Sequence, residues 1–180
     1  IAYYLLTLLA RVFSSMPGLA SGIGRQVREG EIKKFMIQPI DLIGFLLLAR
    51  IAHKLVYYVV AAGPFALVYY LCRDYFPGWP PSEVFAAFLL SLVLAFVVGF
   101  FLECSMGMIS FWFLEVSSLL FVYMLFTFFF SGHMFPLEIL PEPWRTIVDF
   151  LPFKYLAYFP AAVFLGKVEG AELTHGLVIQ

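Results

Sequence analysis

The sequence predicts an all-α, polytopic transmembrane protein, and three observations carry that expectation. Hydrophobic residues make up 63% of the chain and charged residues only 13%, with a mean hydropathy of +0.95; a soluble domain carries roughly 25% charged residues. Apolar runs recur at lengths that suit bilayer-crossing helices of about 20 residues. Finally, six of the eleven Lys and Arg cluster between greasy segments, at Arg25, Arg28, Lys33, Lys34, Arg50 and Lys54. A 180-residue globule this apolar lacks the polar residues to cover its core. The bilayer is the expected solvent, and the basic stretch fixes the orientation, because Lys and Arg stay on the cytoplasmic side during insertion. A formal net charge of −1 gives no reason to expect a nucleic acid partner.

The elements follow in order. Residues 1–23 have the length of a first span, interrupted by Arg11 and by the small-residue stretch Pro17-Gly18-Leu19-Ala20-Ser21-Gly22. Next comes the basic stretch GRQVREGEIKKFMIQPID. Its Ile32, Phe35 and Met36 recur at helical spacing, opposite Arg28, Glu31 and Lys34, so a short amphipathic helix near the interface is expected, ended by Pro39. Residues 42–72 form the next apolar unit. Arg50, His53 and Lys54 in its first half are expected to mark the interface, 55–72 to be the dry part, and Pro64 to kink the helix. The Pro- and aromatic-rich RDYFPGWPPSE reads as an outer loop.

Residues 84–132 are too long for one span and hold two charges, Glu103 and Glu115. A split near 105–110 gives two helices of about 20 residues joined by a tight inner turn. Both acids then fall near the cytoplasmic end. Residues 133–166 stay apolar but carry Pro136, Pro141, Pro143, Pro152 and Pro160. Pro143 suits the first turn of a helix, and Trp144, Ile147, Val148 and Leu151 share one face, with Arg145 and Asp149 off it. Two short helices broken at Pro152 and dipping into the outer leaflet fit this spacing. KVEGAELTHG is polar, and GLVIQ opens a further span. The chain begins at Ile1 and ends inside apolar sequence, which suggests a fragment of a longer protein.

The chemistry-bearing motifs are sparse. Gly166-Lys167 lacks the preceding Gly and the following Ser or Thr of an ATP-binding loop, and HExxH, GxSxG and CxxC do not occur. His53, His133 and His175 lie on different segments. Cys72 and Cys104 are too few for a metal site or a disulfide framework and are expected on opposite membrane faces. Intramembrane acids are functional candidates by default, so Glu103 and Glu115 keep an ion-coupled transporter open, against the plainer reading that both reach water at the inner turn. An integral membrane enzyme acting on lipid is also open, although no polar cluster beyond these acids supports it.

Three stretches of the chain resemble the permease subunit of type-two ATP-binding-cassette exporters, the small six-span permeases of daunorubicin-resistance-like systems. One is Ile23-Gly24 through Gly30-Glu31-Ile32 to Gln38-Pro39-Ile40, similar to that family's inner loop, with Phe35-Met36 and Ile37 where the family prefers leucines. The second is Phe111-Trp112 followed by Glu115. The third, and most specific, is the ladder Gly132, Phe135-Pro136-Leu137, Leu140-Pro141, Leu151-Pro152-Phe153, Tyr155, Pro160, Leu165-Gly166.

This likeness implies a single permease domain over 1–180 that lacks its first and last spans. It implies that Arg25, Arg28, Glu29, Gly30, Lys33, Phe35 and Pro39 belong to a coupling helix docked on a separate ATPase. Pro136, Pro141, Trp144, Pro152, Phe153, Tyr155 and Pro160 would form an outer re-entrant hairpin. ATP and Mg would be held by the ATPase and no cofactor by this chain. Two permease subunits would assemble in the plasma (inner) membrane of a prokaryote. The expected activity is ATP-driven export of an amphiphilic, lipid-like or drug-like molecule.

Overall fold

A computed structural model describes residues 1–76, 78–168 and 170–180, without the side chain of Met36. Parts of the loop ending at Ser82 and of the polar stretch after Gly166 lie outside the described residues. The described residues are helical, with no strand. Three helical units, Ala2–Arg28, Leu42–Leu71 and Ser82–Phe111, are long and apolar enough to cross a membrane, and Ser117–Phe130 is a shorter apolar helix.

The first unit is broken. Helix α1 (Ala2–Ser14) ends with Ser15 in an extended conformation, and α2 (Leu19–Arg28) starts after Gly18, whose φ of 74° is left-handed. Pro17 cannot donate a backbone hydrogen bond and is followed by the left-handed Gly18, and together they break the helix here. A five-residue helix, α3 (Lys33–Ile37), follows a turn at Gly30, also left-handed at φ 71°. Asp41 then caps α4 (Leu42–Leu71), accepting a 2.6 Å hydrogen bond from the Gly44 N–H. The helix continues through Pro64 to its end at Leu71.

The core is built around α5 (Ser82–Met108), continued by a short 3-10 turn to Phe111. Ser91, Ala95 and Gly99 recur at four-residue spacing, Gly107 follows eight residues on, and all four are buried. This row of small residues lets α1 and α2 lie close, the usual device for packing helices in lipid. A Cβ on Gly107 would stand 2.8 Å from Ile23, and one on Gly99 would run into the Ser14 carbonyl. The upper core holds Leu6, Ala10, Phe88, Leu92, Phe159 and Val163, and the lower core Met16, Leu19, Ile23, Phe100 and Cys104.

The inner turn lies further along than the sequence split suggested. Helix α6 (Ser117–Phe130) begins only after residues 112–116, where Glu115 Oε1 accepts a 3.0 Å hydrogen bond from the Ser117 N–H and satisfies one free helix-end donor. Beyond Gly132 come α7 (Glu142–Phe150), a 3-10 turn at Pro152–Leu156, and α8 (Tyr158–Phe164). These are the two short helices expected, with the break at Pro152. Their environments differ. In α8, Phe159, Pro160, Ala161, Ala162 and Val163 are buried, whereas in α7 only Val148 is. Trp144, Ile147 and Phe150 are turned outward. Finally α9 (Gly170–Ile179) returns beside α5. Gln180 accepts from the Ser91 hydroxyl at 3.0 Å and donates to the carbonyls of Ser91 and Tyr155.

Candidate functional site

The break in the first unit leaves backbone carbonyls and N–H groups without partners in an environment where water is scarce, and each must be answered by the protein. The answers come from charged side chains of the neighbouring helices. Lys54 is 6% exposed and its ammonium donates to the Val12 carbonyl. Arg50 donates to the Pro17 carbonyl at 3.0 Å. Glu103, half-buried on α5, lines the break together with Ala20 and lies within the field of the Arg50 charge. A cation thus sits at the negative C-terminal end of α1 and an anion at the positive N-terminal end of α2, as the helix dipoles favour.

Two expectations change here. Arg50 and Lys54 do not simply mark the interface; they reach into the protein to serve the break. Glu103 does not stand free at the inner turn. It continues the four-residue row of Ser91, Ala95 and Gly99 and therefore faces the first unit. Glu115 does reach solvent: it is exposed on the inner turn and pairs with Arg28 at 2.9 Å. Hydrogen bonds from Ser117, followed by the Arg28 charge, hold its carboxyl below the usual range.

Beside the break lies a cavity of about 740 Å³, within the range of small-molecule sites. Its floor is Ser14, Ser15, Pro17, Gly18 and Glu103, one wall is α6 through Leu120, Tyr123, Met124 and Phe128, and its outer end is His133, Leu156 and Ala157. Arg11 lines this cavity and also a second one of about 400 Å³ on the other side, with His53, Lys54 and Tyr57. Its guanidinium lies 5.9 Å from the centre of the Phe128 ring, and among the described residues it forms no ion pair. His133 Nδ1 is shut off from water and without a partner among the described residues. Burial, and after it the Arg11 charge, lowers the His133 pKa.

The basic inner surface is not one helix. Arg25 and Arg28 belong to the last turn of α2, Glu29 and Gly30 to the turn, Lys33 and Phe35 to α3, and Pro39 to the extended stretch before α4. Arg25, Arg28, Glu29, Lys33 and Pro39 are exposed, and Gly30 is half-buried. Phe35 is half-buried against Phe45, with ring centres 5.2 Å apart. Ile37 is 84% exposed on this face, and Ile40 is exposed as well.

At the opposite end, the hairpin is stapled at its base. Lys167 donates to both Glu138 oxygens at 2.9 Å, and the Tyr158 hydroxyl donates to Oε1 at 3.0 Å. The Lys167 hydrogen bonds, chiefly, hold the Glu138 carboxyl below the usual range. Pro136, Pro152 and Phe153 are half-buried, Tyr155 and Pro160 are buried, and Pro141 and Trp144 are exposed. The hairpin turn is therefore lodged in the protein, with Leu156 and Ala157 closing the cavity.

A family model described as ABC-2 family transporter protein matches residues 1–180. The chain belongs to that family. It is a membrane permease component of an ABC transporter, and such permeases work with an ABC ATPase. No curated protein and no solved structure matches the chain. Three features of this ABC-2 permease were not foreseen from sequence: the roles of Arg50 and Lys54, the facing of Glu103, and the cavity at Arg11. Arg11 carried a sequence signal, as an arginine inside an apolar run, and Glu103 carried one in its four-residue spacing from Gly99.

Proposed function

We propose that the chain is the transmembrane subunit of an ATP-driven exporter of an amphiphilic, lipid-like or drug-like molecule, and that residues 24–39 receive the partner ATPase. The ATPase binds ATP and Mg and this chain binds neither. The observation that carries the reading is the Arg28–Glu115 ion pair on a basic inner surface, in a chain that matches an ABC-2 permease along its whole length. A push on the loop after α2 passes through that pair to the turn between α5 and α6, and through α2 to the break. Arg25, Lys33 and Ile37 offer a docked partner charge around an exposed apolar residue, a common interface pattern. Helix α4, of which only Lys54 is buried, offers its apolar flank to a second permease subunit in the inner membrane of a prokaryote.

The test is co-expression with the ABC ATPase and measurement of two quantities: ATPase co-purification and ATP-dependent extrusion of a fluorescent dodecyl amphiphile from vesicles. Arg28→Glu and Glu115→Arg should each cut extrusion at least fivefold while ATP hydrolysis continues, and the double exchange should restore it. Extrusion at wild-type rate in both single variants would remove the coupling surface from the proposal.

A further inference from the structure

We infer that the cavity beside the broken span is a binding site for an anionic amphiphile, with Arg11 as the group that meets its head. Calling the bound molecule the cargo rests on the export reading above; the binding itself does not. The position comes first. Arg11 is the tenth residue of α1, which places it about 15 Å along a helix that starts at the outer end. An arginine at that depth is costly and marks a functional site unless it is paired. It has no carboxylate partner among the described residues, and it stands between two cavities.

The charge balance chooses the sign of the ligand. Around the break stand three cations, Arg11, Arg50 and Lys54, and one anion, Glu103. Glu103 lines the same cavity and its charge is felt by Arg50, while Arg50 and Lys54 donate to the carbonyls of Pro17 and Val12; the cations still outnumber the anion by two. Arg11 is the remaining cation. A planar guanidinium matches a phosphate, sulfate or carboxylate head through paired hydrogen bonds. His133, whose Nδ1 is buried without a partner, lines the same cavity.

The rest of the lining chooses the tail. Met124, Leu125 and Phe128 line the cavity and are also exposed on the apolar flank of α6. A chain attached to the head can therefore lie along α6 and leave the cavity toward lipid. A free inorganic anion gains nothing from that surface, so the amphiphile is favoured over it.

The experiment uses the permease with its ATPase in phosphatidylcholine nanodiscs and radiolabelled dodecyl phosphate as the probe. Wild type should bind it, with competition from dodecyl sulfate but not from dodecyltrimethylammonium or inorganic phosphate. Arg11→Gln should weaken binding at least tenfold and Arg11→Lys should keep part of it. Met124→Trp, which fills the cavity without touching a charge, should weaken binding also and guards against misfolding of the arginine variant. Arg28→Glu, which lies away from the cavity on the coupling surface, should bind as wild type does although its extrusion falls; binding by the wild-type protein without extrusion of the bound probe would count against the export reading and leave the site standing. Unchanged binding in Arg11→Gln and Met124→Trp would overturn the inference. So would equal competition by the cationic amphiphile, or loss of permease pairing in Arg11→Gln, since the arginine would then belong to an interface.

Discussion

Substitution of Gly99 by alanine tests the packing at the break. A Cβ at this position meets the Ser14 carbonyl oxygen and carbon, both main-chain atoms that no rotamer change can move aside. The α1 and α5 backbones must part by roughly 1 Å, and a gap of that size forfeits a quarter to a half of each dispersion contact across it. The surfaces pulled apart include Leu6, Ala10, Leu92 and Ala95, all under 3% exposed. One buried leucine makes about 40–60 contacts of about 0.1–0.2 kcal/mol each, so the gross loss is several kcal/mol. Relaxation returns part of it, and the expected net cost is about 2–3 kcal/mol, the upper part of the overpacking range. That corresponds to a fall in Tm of roughly 4–12 °C for a chain of this size. The internal control is Gly22→Ala, where nothing lies within 4 Å of the added carbon and the helix gains up to about 1 kcal/mol. Thermal unfolding of both variants in detergent, followed by size-exclusion chromatography, decides the matter. Equal Tm values for the two would refute the close approach of α1 and α5.

Three further outcomes are expected. Asp41→Ala removes the cap of α4 and should destabilise by about 1 kcal/mol in the same unfolding assay, whereas Asp41→Ser should retain most of that. The Glu138 carboxyl is depressed in the folded protein, so the Lys167 staple adds stability above the ordinary carboxylate value of 4.5 and loses it as pH falls through the lower folded value. Both partners are partly exposed, so the contribution is about 0.2–1 kcal/mol; Lys167→Gln should flatten this acid-side slope in a hydrogen-exchange profile of residues 138–167. Cysteines at Glu142 and Arg145, both exposed on α7, should react with an impermeant thiol reagent from outside after Cys72 is replaced, and labelling from the cytoplasmic side alone would reverse the topology.

Much of the helical layout was legible because it depends on local signals. Apolar length marked the helical units, Pro152 marked the break between α7 and α8, and splitting the apolar run 84–132 put Glu115 near a turn, although that turn lies at 112–116 and not at 105–110. The row Ser91, Ala95, Gly99, Glu103 and Gly107 was also written in the chain at four-residue intervals, and read as a packing face it would have turned Glu103 toward the first span. Gly30 was a similar missed signal: its left-handed φ ends the helical run that was expected to join Arg28 to Lys34. The roles of Arg50 and Lys54 were out of reach. A cation in an apolar helix looks the same whether it reaches the interface or a carbonyl on another helix 33 or 42 residues away. The cavity at Arg11 depends on how four helical segments converge, which no local pattern encodes.

The way α4 is attached has a consequence for sequence drift. Arg50, Lys54 and Tyr69 donate to the carbonyls of Pro17, Val12 and Leu5, so the hydrogen bonds that tie the second span to the first end on main-chain atoms, beside the stacked rings of Phe13 and Tyr58. A carbonyl is present whatever residue carries it. Positions 5 and 12 are therefore free to vary among relatives as far as this attachment is concerned, while positions 50, 54 and 69 must keep a long side chain with a donor at its tip. The constraint is one-sided: covariation between the two helices at these contacts should be absent, even though the contacts are direct.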